Sequence, residues 1–189
     1  MVSSGQGRAT LILSTMLLLL YASLSPALAT PGQDDRAPVV PANLEVPEGN
    51  TMAFHAHAGG VQIYVCRPSA SDATQFAWSF KAPKARLFDA EGNVVGVHYV
   101  GPTWQSKSGS KVVGAVLQSA AAPELDAVPW LLLQAKSTKG PGVFDRVTFV
   151  QRVNTGGGKA PATGCDAADV GREMRVPYTA EYFFYRGTS

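Results

Sequence analysis

A chain of 189 residues with Lys and Arg outnumbering Asp and Glu by only 16 to 14 has no clustered basic face, which argues against a nucleic-acid or anionic-membrane partner. Its length suits one domain with a single core once a leader is set aside. That leader is suggested by Arg8, the apolar run Ala9 to Tyr21, the helix-breaking Ser25-Pro26 and the small residues of Ala27-Leu28-Ala29. Residues 1–29 therefore read as a signal peptide, with the mature chain starting near Thr30. The run is shorter than the roughly 20 residues of a membrane span, and no Cys follows it to carry a lipid. The expected residence is secreted, periplasmic or extracellular, with no membrane span in the mature chain.

Two cysteines remain, Cys66 and Cys165. Export places them in an oxidising compartment, and the absence of Cys-x-x-Cys favours one long-range disulfide over a metal or redox site.

Residues 30–47, rich in Pro, Asp, Gly and Ala, read as an extended lead-in, and residues 48–189 as one β domain. Thr51 to His57 and Val61 to Cys66 alternate as strands, with Gly59-Gly60 expected as the turn of a hairpin. Phe76, Trp78 and Phe80 fall at period two, three rings on one strand face, with core packing as their expected role and a ligand-stacking platform as the alternative. Lys84 to Phe88 is a further strand, Asp89 to Asn93 a turn, and Val94 to Val100 a strand that delivers His98 and Tyr99 to the Gly101-Pro102 break.

Beyond Trp104, Gly109-Ser110 turns the chain into a strand over Lys111 to Ser119. Ala120 to Asp126 is expected to make at most a helical turn ended by Pro129, and Trp130 to Leu133 suits a strand covered on both faces. Gly140-Pro141-Gly142 is a turn. Val143 to Val153 follows and closes in Asn154 to Gly158. Asp166 to Met174 is expected as one helical turn or loop. The last strand, Pro177 to Arg186, sets Tyr178, Tyr182 and Phe184 on one face, with Phe183 and Tyr185 on the other. About nine or ten short strands with little helix predict an antiparallel sandwich or barrel, with Phe88, Trp130 and the C-terminal aromatics in its core.

Four constellations bear on chemistry. His55 and His57 project from one strand face, a spacing at which two imidazoles hold one metal, with His98 a conceivable third ligand. No acid or Cys completes a recognised spacing, so no metal or other cofactor is assigned. His98 as a general base has Ser106, Ser108 and Ser110 nearby, but no Gly-x-Ser-x-Gly elbow is present and the acids nearby are Asp89 and Glu91. Gly156-Gly157-Gly158 lacks the Lys-Ser/Thr of a phosphate loop and reads as a flexible turn. Arg146 and Arg152 suit a carboxylate ligand or pairing with Asp145 or Glu181.

Several motifs then point to a family. Gly60-Val61-Gln62-Ile63-Tyr64 with Cys66, His98-Tyr99 with Gly101-Pro102-Thr103-Trp104, Gly109-Ser110, Val128-Pro129-Trp130-Leu131-Leu132, Gln151 to Gly157, Ala160-Pro161 with Cys165, and Val176 to Phe184 together resemble the domain-of-unknown-function 3455 family of secreted proteins. The resemblance implies no established activity. Some fungal members are called malate dehydrogenases. Here no Gly-x-Gly-x-x-Gly and no alternating strand and helix support that activity. The Trp104 motif of bacterial members has acidic neighbours, where this chain has Gln105 and Ser108, and His55 and His57 lie outside the shared motifs.

The expected function is a binding module for a small molecule or glycan, using Gln62, His98, Tyr99, Trp104 and Arg152. The alternatives are a hydrolase using His98 or a His-ligated metal, and a structural envelope or extracellular interaction protein.

Overall fold

The computed structural model describes residues 36–188, together with Met1 and Val2. The expected signal peptide, those two residues apart, and the lead-in as far as Asp35 lie outside the described residues. Eight strands follow one another: β1 (Asn50–Pro68), β2 (Phe76–Phe88), β3 (Val94–Tyr99), β4 (Thr103–Ser106), β5 (Lys111–Ala120), β6 (Trp130–Lys139), β7 (Val147–Gly157) and β8 (Glu173–Gly187). Each is antiparallel to the next, and β8 returns to pair with β1, so the sheet closes on itself as a barrel. The only helix among the described residues is two short 3-10 turns, Ala42–Leu44 and Ala167–Asp169.

The all-β antiparallel expectation holds, and the strand count falls to eight for a physical reason. Gly59-Gly60 is not a hairpin turn but the middle of the 19-residue β1. A Cβ on Gly60 would lie 2.2 Å from the Lys84 carbonyl oxygen and 2.5 Å from Ala85 Cα, so glycine here lets β2 press against β1 rather than reverse the chain. The segments around Phe76 to Phe80 and Lys84 to Phe88 likewise fuse into the single strand β2. A strand not expected from sequence, β4, arises where Gly101, at φ 92°, turns β3 back on itself.

Strand alternation sorts the side chains. Ala56, Ala58, Leu87, Trp104, Val112, Leu133, Val150, Tyr178, Tyr182 and Phe184 fill the interior. Leu87 takes the inward position rather than Phe88, which is half-buried. Phe144, in the β6–β7 connection rather than in a strand, is fully buried 4.7 Å from Phe184 and packs the end of the barrel where β7 begins. Val153, Phe183 and Tyr185 point outward and are covered by Val40, Val46 and Trp130. Part of the lead-in thus joins the fold. Leu44 is fully buried, and the Gln151 side-chain amide donates to its carbonyl at 2.7 Å while the Tyr185 hydroxyl donates to Gln151 Oε1 at 2.6 Å.

A third cluster, Tyr64, Cys66 and Trp78 with Phe76 and Met174, lies where β1 and β2 run beyond the barrel. Cys66 and Cys165 are joined there, as expected, with Cα atoms 5.5 Å apart. The pairing follows from topology: β8 lies against β1, and the segment before β8 brings Cys165 to the strand end that carries Cys66. Trp78 is buried in this cluster and Phe76 partly so, but Phe80, third in the stripe, is 57% exposed.

Candidate functional site

The β3–β4 hairpin positions the central pair. His98 and Trp104 are direct cross-strand partners, and their rings stack at a centroid distance of 4.5 Å and an interplanar angle of 14°. Behind them stands Tyr182 of β8, 5.1 Å from His98 and 5.3 Å from Trp104. His98 Nδ1 lies 2.9 Å from the Thr103 carbonyl, which can only accept, so Nδ1 carries the proton and Nε2 keeps its lone pair. Burial drives the imidazole pKa from its usual 6.5 down to about 3, the Arg152 charge acts the same way, and the Thr103 bond opposes them. This histidine is therefore neutral at neutral pH.

Next to the pair, at the end of the barrel opposite Phe144, is a cavity of about 150 Å³. Lys81, His98, Trp104, Arg152 and Tyr182 contribute its polar side chains, and Leu131, Leu133, Val116, Val100 and Phe80 are among its apolar walls. Arg152 reaches it from β7, where Val150 and Arg152 share the inward face. Its Nε and Nη2 both donate to the Pro129 carbonyl, at 3.1 and 2.8 Å, which anchors one edge of the guanidinium and leaves further N–H donors. Trp104 Nε1 is buried without a hydrogen-bond partner among the described residues.

Of the five residues expected to bind a ligand, the structure brings three, His98, Trp104 and Arg152, to one cavity. Gln62 is buried on the inward face of β1 but does not line it, and its amide Nε2 is likewise unpartnered. Tyr99 faces outward, where its hydroxyl donates to Gln105 Oε1 at 3.0 Å, and it borders a separate surface groove with Arg86 and Arg175. Tyr182 and Phe80 were not expected at the site. Tyr182 was legible only as one ring of an aromatic face, and Phe80 carries no signal that sets it apart from Phe76 and Trp78.

The serine readings do not assemble. Ser106 Oγ lies 2.9 Å from Ser108 Oγ and 2.8 Å from Ser110 Oγ, while Ser110 Oγ accepts from the Phe144 amide at 3.3 Å. These hydroxyls tie down the β4–β5 turn, and His98 is committed to Thr103 instead. Asp89 is occupied by the Asn93 amide at 2.7 Å on the β2–β3 turn. The glycine run is not a flexible turn: a Cβ on Gly158 would lie 2.7 Å from Tyr178 Cβ, and one on Gly157 2.8 Å from the Pro177 carbonyl. Arg146 precedes β7 and lies 3.9 Å from Asp145. His98 is no partner for His55 and His57, because it points into the barrel while they point out.

With the barrel and its cavity described, the comparison with known families is decisive on kinship. The sequence profile of a family described as protein of unknown function, DUF3455, matches residues 47–186. The chain belongs to the DUF3455 family. No curated protein and no solved structure matches it. The DUF3455 match takes in all of β1 to β7 and β8 to its penultimate residue, so the cavity, the disulfide and the closure of the barrel all fall within it. Leu44 and its 3-10 turn precede it. An antiparallel barrel has no parallel βαβ unit, so malate dehydrogenase chemistry finds no dinucleotide fold among the described residues of this DUF3455 chain. No helix among the described residues is long and apolar enough to cross a membrane.

Proposed function

We propose that the chain is an exported binding domain for a small molecule with an apolar body and one anionic or carbonyl oxygen, held at the mouth of the barrel. One observation carries this reading: the cavity beside His98 and Trp104 has mainly apolar walls and the Arg152 guanidinium among them. A cavity near 150 Å³ accepts a ligand about the size of benzene. The size and the apolar walls favour a benzoate-like acid over a glycan, whose hydroxyls would go unmet. The neutral His98 Nε2 adds an acceptor without adding charge. Export is supported by the apolar run from Ala9 to Tyr21 and by the Cys66–Cys165 bridge, which suits an oxidising compartment.

Titration of ¹⁵N-labelled protein with benzoate, followed at the Trp indole N–H signals, tests the proposal. The Trp104 signal is expected to shift saturably at millimolar benzoate. Benzyl alcohol should bind more weakly, and Arg152→Gln should remove the preference for the acid. Val116→Trp, at a position already 56% exposed, plugs the mouth without disturbing the core and should abolish the shift. Absence of any saturable shift with either compound overturns the reading.

A further inference from the structure

His55 and His57 have a partner that their spacing in β1 does not disclose. Closure of the barrel sets β8 beside β1 with Glu181 directly opposite His57. Glu181 Oε2 lies 3.1 Å from His55 Nε2 and Oε1 lies 3.9 Å from His57 Nδ1. One donor atom from each residue falls within 4.8 Å of the others. Metal–ligand bonds of about 2.0–2.2 Å set tetrahedral ligands roughly 3.3 Å apart, so side-chain rotation alone brings three ligands onto one ion.

We propose that His55, His57 and Glu181 form a site for a divalent transition-metal ion, Zn²⁺ or Cu²⁺, on the outer wall of the barrel at the seam between its first and last strands. Two imidazoles and a carboxylate are the donor set of a borderline ion, and with both cysteines in a disulfide no thiolate draws the preference elsewhere. The site is half prepared. His55 is stacked on Phe183 at 4.2 Å and 11°, which fixes its ring. His57 is half exposed, so the ion has a path in and a coordination position open to water. Because the ligands come from β1 and β8, the ion would clamp the closure of the barrel.

Isothermal titration of ZnCl₂ and CuCl₂ into tag-free protein stripped with chelator, with thermal melts in parallel, decides the matter. One ion per chain is expected, Cu²⁺ tighter than Zn²⁺, with the melting midpoint rising as the metal binds. His57→Ala, at the exposed ligand, and Glu181→Gln should each weaken binding at least about tenfold. Should His55→Ala fail to fold, His57→Ala still reports. The proposal is overturned if neither ion binds one to one, or if His57→Ala and Glu181→Gln bind as the parent does, in which case the three groups are an ion pair only. Benzoate binding at the barrel mouth is independent of either result.

Discussion

His98 and Trp104 face each other across β3 and β4 with their rings stacked at 4.5 Å, and the Thr103 carbonyl holds the imidazole by Nδ1. The pair joins the local turn to the barrel interior, because Tyr182 and Phe184 of the last strand pack against the Trp104 ring. A histidine so placed couples the fold to acid.

The sign of that coupling follows from its pKa, lowered from 6.5 to about 3 by burial. The unfolded chain takes up a proton below pH 6.5 that the folded chain refuses, so the stabilisation is complete above pH 6.5 and drains away as the pH falls toward 3. Between pH 7 and pH 5 the loss is about 2 kcal/mol. Urea unfolding at the two pH values measures it. His98→Gln should lower stability at pH 7 and shrink the difference between the two pH values; an undiminished difference would show that another group is responsible.

Removal of the disulfide should cost about 2–5 kcal/mol, since it closes a loop spanning 99 residues of sequence separation. In a domain of this size that lowers the melting midpoint by roughly 10 °C. Thermal melts of the Cys66→Ala/Cys165→Ala double variant, or of the parent with and without reductant, provide the check.

Gly60→Ala and Gly92→Ala separate two roles of glycine. At Gly60 the added Cβ meets backbone at 2.2 Å, so β1 and β2 must part, at a cost of about 3 kcal/mol or more. At Gly92, where φ is 82° and nothing lies within 4 Å, only backbone strain of about 1–2 kcal/mol is expected. Equal losses in chemical denaturation would contradict this account of β1.

Leu44→Ala should destabilise by about 2–5 kcal/mol although Leu44 lies ahead of the first strand. The Gln151 amide still has its backbone acceptor in the variant, so the loss measures packing rather than hydrogen bonding. A change below about 0.5 kcal/mol would mean that this segment is dispensable to the barrel.

Alternation was enough to orient β8 from sequence, because each aromatic residue there obeys a period of two, and the isolated cysteine pair was enough to name the disulfide. Gly59-Gly60 misled for a definite reason: glycine serves both a turn and a close strand contact, and only the position of Lys84 across the sheet distinguishes them. The same limit hid the surroundings of both candidate sites. Arg152 and His98 come to one cavity from strands that are not neighbours in the barrel, and Glu181 meets His57 through the pairing of the first strand with the last; no local pattern encodes either. Leu44 escaped notice because a single leucine in a proline-rich stretch has no periodicity to announce that it is buried.

The pairing of β1 with β8 also governs when the fold can form. As the chain is synthesised, the edge of β1 waits for residues 173–187, the last strand, and the bridge to Cys66 waits for Cys165. No fragment that stops short of β8 can close the ring, so the barrel stays open until residues 173–187 have been made.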